Sequence, residues 1–252
     1  NSVMSESANT LVSPVIVCPA SPLKTMVSSL KSLSDDAVLV FSPEGLTSKV
    51  VDSAHVCMLE VNIPNKTFTS NTANSETQVA ISLTNLDTAL KLAGKKDVVK
   101  LSLVNEDTYL QVDIGDISKS VRLLDTSLVK NPPSPVLAFD LSYSLDADSL
   151  KKAVAASKTV GDVVTFHFDG EATKITVDSK MERVEAPLET TKTTIQSKEA
   201  LTALYSVEYL VQMAKTLGKD VTISWGEYKP LKLISNDGEV SLTWLVAPRN
   251  QS

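Results

Sequence analysis

The chain has 252 residues, 42% of them apolar, with 24 lysines and arginines against 30 aspartates and glutamates and a formal net charge of −6. That is enough apolar material for one large core or two of about 120 residues, and no apolar run approaches the ~18 residues of a membrane span. The acidic balance argues against a uniformly basic nucleic-acid binder, and two cysteines without CxxC spacing, Cys18 and Cys57, suit a reducing compartment rather than a disulfide framework.

Residues 1–14 are polar and Ser-rich, with no basic start or apolar block, and are expected to be a flexible extension rather than a signal peptide. The first helix follows, with Ser21 as its expected cap and Pro22 at its first position. Leu23, Met26, Val27, Leu30 and Leu33 fall on one face, and Lys24, Ser28 and Lys31 on the other. Strands are expected at 37–41, 46–51 and 55–61, then a polar loop over 64–76, where Asn65-Lys66-Thr67 matches a glycosylation sequon by chance. A strand at 77–83 leads into a second helix, 85–93, closed by Gly94. Strands at 98–104, 108–113 and 117–124 complete the first half.

Three prolines in Asp125–Pro135 mark a linker. The second half then repeats the first: strand 136–143, helix 149–160, strands 162–168 and 173–178, a polar stretch 179–189, strand 190–197, helix 207–217 closed by Gly218, and strands 221–225, 230–235 and 240–246. Leu23, Lys24, Met26, Val27, Lys31 and Leu33 are matched 127 positions later by Leu150, Lys151, Ala153, Val154, Lys158 and Val160. Leu86, Lys91 and Gly94 are matched 124 positions later by Leu210, Lys215 and Gly218. Strands with occasional helices, duplicated, predict an α+β fold of two similar domains with antiparallel sheets and two helices each.

Signals for bond chemistry are thin. His167 stands alone in a strand, His55 and Cys57 lack further metal ligands, and no GxxxxGK[ST], GxGxxG or GxSxG occurs. No cofactor or metal is implied, and a hydrolase or transferase has no residues to name. The lysines are more informative. Lys24, Lys31, Lys91, Lys151, Lys152, Lys158 and Lys215 lie on the polar sides of four helices, and Lys95, Lys96 and Lys219 just beyond two of them. One such helix would mean only a solvated face. Four of four in an acidic chain point to segregated charge that meets duplex phosphates without reading sequence. No aromatic residue interleaves with them, which disfavours stacking on single strands.

At this point the chain resembles the sliding clamps of the proliferating cell nuclear antigen (PCNA) family. Phe41-Ser42-Pro43-Glu44-Gly45-Leu46, Val51-Asp52-Ser53-Ala54-His55-Val56, Gly218-Lys219-Asp220-Val221, Pro230-Leu231 and Leu245-Val246-Ala247-Pro248-Arg249 carry the likeness, in order, across residues 15–249. It implies a clamp domain over 15–124, a connecting loop over 125–135, a second clamp domain over 136–249 and a tail over 250–252. It further implies a homotrimeric ring of six domains around duplex DNA, lysines facing the hole, with a clamp loader, a replicative polymerase and other replication and repair clients as partners, and no membrane. The protein would be intracellular, nuclear in a eukaryote and cytoplasmic in an archaeon or a bacterial-virus host. A client groove for Gln-x-x-hydrophobic-x-x-aromatic-aromatic peptides would use Val51, His55, Val56, Met58, Leu128, Val129, Leu245, Ala247 and Pro248. Subunit contacts are expected on edge strands, from 108–113 with Ile117 and from 173–178 on to Glu185. The alternatives are a subunit of a heterotrimeric clamp and a monomeric processivity factor that holds DNA directly by charge. Leu245 stands where the family often has tyrosine, and Ser157 where an apolar residue is expected opposite Leu30.

Overall fold

The computed structural model describes residues 12–250, so most of the expected extension and the end of the tail lie outside the described residues. The chain forms two compact units: the described residues up to Val50 with Val61–Asn131, and Val51–Glu60 with the described residues from Pro132 onward.

The first unit contains β1 (Val15–Pro19), α1 (Ala20–Lys31), β2 (Asp36–Ser42), β3 (Gly45–Val51), β4 (Cys57–Pro64), β5 (Ser70–Asn71), β6 (Thr77–Ser82), α2 (Leu83–Leu90), β7 (Val98–Val104), β8 (Tyr109–Ile114) and β9 (Ile117–Arg122). Val51 and residues 57–60 of these strands group with the second unit. The second unit contains β10 (Leu141–Asp146), α3 (Ala147–Ser157), β11 (Val163–Phe168), β12 (Thr173–Asp178), β13 (Arg183–Leu188), β14 (Thr190–Ile195), β15 (Leu201–Ser206), α4 (Val207–Ala214), β16 (Asp220–Trp225), β17 (Leu231–Asp237) and β18 (Val240–Val246). The two element orders are identical, and so is the strand order. The first unit has β5-β1-β7-β8-β9 and β4-β3-β2-β6; the second has β14-β10-β16-β17-β18 and β13-β12-β11-β15. The paired strands run antiparallel.

Alternation builds the sheets. Cys57, Leu59, Val61 and Ile63 of β4 are buried, and so are Val240, Leu242, Trp244 and Val246 of β18, while their neighbours face outward. The helices lie on the cores by their apolar faces. Leu23, Met26, Val27 and Leu30 of α1 are buried, as are Leu150, Ala153 and Val154 of α3. Each large apolar side chain contributes about 1.5–3 kcal/mol on burial, whereas an ion pair such as Lys31–Asp87 between α1 and α2 contributes about 0–1 kcal/mol. Packing therefore holds the helices, and the ion pair only arranges their surface.

Several local expectations change. Ser21 does not cap α1: the helix starts at Ala20, whose N–H donates to the Asp97 carbonyl at 2.8 Å. Pro22 then falls within the first turn, where a missing N–H costs no helical bond. The other helices start at strand ends, with Ser82 and Asp146 accepting from Asn85 N–H and Asp148 N–H. Strands β1 and β15 lie where no element is expected, β5 falls in the expected loop 64–76, and β13 falls in the stretch 179–189 read only as polar. The strand expected at 136–143 begins only at Leu141, and that expected at 55–61 begins at Cys57. His55 has φ 57°, the left-handed geometry of a turn. Ser157 sits buried in an apolar position because its hydroxyl donates back to the Ala153 carbonyl at 2.6 Å.

The edges also move. β8 and β12 are interior strands, so 108–113 and 173–178 are not free; the open strands beside them are β9, which holds Ile117, and β13. Val177 accordingly lies on an interior, buried strand.

Gly94 and Gly218, matched in the repeat, do different work. A Cβ on Gly218 would lie 1.7 Å from the Asn236 carbonyl oxygen, whereas one on Gly94 would meet nothing closer than Asp97 Oδ2 at 3.5 Å. Gly218→Ala is expected to lower unfolding free energy by about 3 kcal/mol, while Gly94→Ala stays within about 0.5 kcal/mol of wild type. Urea denaturation of both variants checks the contrast, and equal losses would refute it.

Candidate functional site: lysine-tipped helices and an apolar groove

All ten lysines singled out from the sequence are at least partly exposed: Lys24 is half-buried, and the others are exposed. Their placement shows a regularity the sequence reading missed. Lys31 is the last residue of α1, and Lys91, Lys158 and Lys215 are the C-caps of α2, α3 and α4. A cation there offsets the partial negative charge of the terminal carbonyls. Only Lys24, Lys151 and Lys152 lie within helix bodies. The structure brings Lys31 and Lys91 together through Asp87, at 3.3 and 3.4 Å. The polar surface therefore carries some acid among its bases.

In the second unit, the turn between β3 and β4 is built around one carboxylate. Asp52 is buried, and its Oδ1 accepts from Val56 N–H at 2.8 Å and Cys57 N–H at 2.9 Å. Its Oδ2 accepts from the hydroxyl of Tyr209 on α4. Burial alone would raise the Asp52 carboxyl; the Cys57 N–H, the Tyr209 hydroxyl and the Val56 N–H together outweigh it and hold the group below its ordinary value. Burial, and then the bond to Asp52, pushes the Tyr209 phenol up.

This turn delivers β4 to an open groove lined by Met58, Glu60, Ser134, Pro135, Leu137, Phe139, Lys232, Thr243 and Leu245. Of the nine groove residues expected from the sequence, Met58 and Leu245 line it. Val51, Val56, Ala247 and Pro248 are half-buried nearby in sequence but do not line it, and His55 is exposed on the turn. The linker residues are corrected. Val129 is buried against Val38 and Ala80, with Val40 beside them, and Leu128 is 81% exposed. Ser134, Pro135, Leu137 and Phe139 take the lining instead. The Ser134 hydroxyl donates to Glu60 Oε2 at 3.1 Å. Phe139 supplies an aromatic ring to a groove in which position 245 offers an aliphatic side chain. Trp244 is fully buried, its Nε1–H donating to Thr216 Oγ1 at 3.0 Å, so it does not stand in for that aromatic.

The residues that could suggest bond chemistry are accounted for structurally. Burial raises both thiols, Cys18 to about 12, and a raised thiol is a poor nucleophile. His167 is half-buried with Nε2 2.9 Å from Thr176 Oγ1; burial, then the nearby Lys174, lowers its pKa. His55 is exposed and Cys57 is fully buried, so they do not form a metal pair.

Comparison with known proteins points to a family of clamps. Residues 17–128 match the N-terminal domain of proliferating cell nuclear antigen. A DNA polymerase sliding clamp of Archaeoglobus fulgidus is 28% identical over 235 residues, 91% of this chain and 96% of that one. One from Cenarchaeum symbiosum is 26% identical over 242 residues, 91% of this chain and 95% of its own length. A structure of the C-terminal region of FEN-1 bound to A. fulgidus PCNA superposes with a TM-score of 0.87 at 26% identity, covering 95% of this chain and 99% of that one. Over nearly its full length the chain is similar to PCNA-type sliding clamps. The proliferating cellular nuclear antigen of Entamoeba histolytica has the same fold, superposing with a TM-score of 0.84 at 20% identity over 94% of this chain and 99% of that one.

The Asp52 centre predicts an acid limb in stability. A lowered carboxyl stabilises the fold fully above the unfolded-state value of about 3.9, and that contribution is lost as pH falls through the folded-state value. The unfolding free-energy gap between wild type and Asp52→Asn should be widest near neutrality and narrow below about pH 4. Tyr209→Phe should cost about 1–2 kcal/mol. A gap that stays constant down to pH 2 would contradict a charged Asp52.

Proposed function

We propose that the chain is a DNA sliding clamp, a polymerase processivity factor that encircles duplex DNA as a ring and tethers replication and repair proteins through the Met58–Leu245 groove. The likeness spans nearly the full length of the chain and of its relatives, among them DNA polymerase sliding clamps and a PCNA holding a FEN-1 segment. The chain works by topology and charge, and this reading needs no catalytic group. No helix among the described residues is long and apolar enough to cross a membrane.

One observation carries the ring. β9 and β13 are edge strands, each without a strand partner on one side among the described residues. The corresponding outer strands β6 and β15 are capped by isolated bridges at Leu124 and Arg249. Pairing β9 of one chain with β13 of the next leaves neither edge open. Both surfaces come from one chain, which supports a homotrimer of six domains with closed symmetry. The lysine-tipped helices then supply the surface for DNA, meeting phosphates loosely and without base readout. The domain limits read from the sequence, 15–124 and 136–249, are kept for this ring with one adjustment: residues 51–60 go with the second domain.

Native mass by light scattering over a dilution series tests the assembly. A homotrimer has about 81 kDa, three times the 27.1 kDa chain. Ile117→Asp, on the open edge of β9, should bring the mass down to one chain with little change in melting temperature. A wild-type chain that is monomeric at every concentration would overturn the self-sufficient ring and favour a heteromeric clamp. Lys151→Glu with Lys152→Glu should leave the mass unchanged and lower the log–log salt slope of duplex binding by about one per lysine. An unchanged slope would remove α3 from the DNA-facing surface.

A further inference from the structure

The groove is not uniformly apolar. Lys232 lies on β17 between Leu231 and Leu233, both fully buried, so alternation turns its side chain to the opposite face. There its cross-strand neighbour is Leu245, and it lines the groove with Met58, Leu137, Phe139 and Thr243. Lys229, three residues earlier, is paired with Asp140 at 2.9 Å; Lys232 makes no ion pair among the described residues. The groove's carboxylate, Glu60, is engaged by the Ser134 hydroxyl and lies outside ion-pair distance of Lys232.

We propose that Lys232 is a specificity-determining residue of this groove, selecting client peptides that carry a carboxylate side chain between their apolar anchors. The inference rests on the reading of the groove as the client site. A purely apolar peptide seated against Met58, Phe139 and Leu245 takes water from the Lys232 ammonium and returns no partner, which is costly. A peptide carboxylate restores a partner in the same step, so the groove both rewards the acidic client and penalises the neutral one. Glu60 repels a carboxylate from the linker side and so restricts it to the Lys232 end of the groove.

The test uses the full chain and fluorescence anisotropy with labelled peptides of the pattern Gln-x-x-Leu-x-x-Phe-Phe. Every x is Asn in the reference peptide, and each x in turn is Asp in the others. At least one Asp peptide should bind about fivefold tighter than the reference at low salt, and the preference should shrink as salt rises. Lys232→Met should abolish the preference and bind the all-Asn peptide at least as tightly as wild type does. If all Asp peptides match the reference within twofold, or the preference survives in Lys232→Met, the assignment of Lys232 is wrong while the groove stands. If no peptide binds, the all-Asn reference included, the client groove itself falls and the proposal falls with it.

Discussion

The buried carboxylate of Asp52 is the point on which the groove side of the second unit turns. A charged group out of water is tolerated only when its lone pairs are filled, and two backbone N–H groups and the Tyr209 hydroxyl fill them. The two N–H bonds fix the turn that starts β4, and the third bond ties that turn to α4. Helix and groove strand are thereby set in one geometry by one side chain. The Asp of the Val51–Val56 motif is thus explained by its bonds: asparagine would keep the shape but offer one acceptor oxygen in place of two.

The same economy shows in the division between packing and polar surface. Cores are closed by alternating strand residues and by helix faces of leucine, methionine, valine and alanine. The polar side of the helices contributes little to holding them, which leaves its residue types free to serve an outside partner. Asp87, between Lys31 and Lys91, shows that this freedom is used for both signs.

Much of this was legible in the residues. The duplication, the linker and the strands with clean alternation, such as 98–104, 173–178 and 240–246, follow from periodicity alone. Where periodicity was weak, the structure departs. β1 is a five-residue run beside a Ser-rich stretch, β13 carries a proline and four charged residues within or next to it, and β5 has two residues. Strand order within a sheet leaves no trace in a linear pattern, so interior strands β8 and β12 could be mistaken for edges. Of the residues expected to form a client groove, Met58 on β4 and Leu245 on β18 line the groove described above, and the linker residues Leu128 and Val129 do not. Leu128 and Val129 look like the apolar anchors of that stretch, yet Val129 finds a better home against Val38 and Ala80. The cap lysines were visible as lysines but not as caps, because helix ends are set by tertiary contacts several residues before Gly94 and Gly218.

The lysines at the helix ends have a consequence for friction. Each is a compact charge on a long, flexible stem, anchored where the backbone dipole already favours it, and none is bound to its neighbours by an aromatic stack or a bidentate fork. A group of this kind can release one phosphate and take the next without any movement of the fold. In the ring proposed above, a lining made of such groups would hold a polyanion by average charge, with no preferred register along it, and so would offer little resistance to travel along the duplex axis.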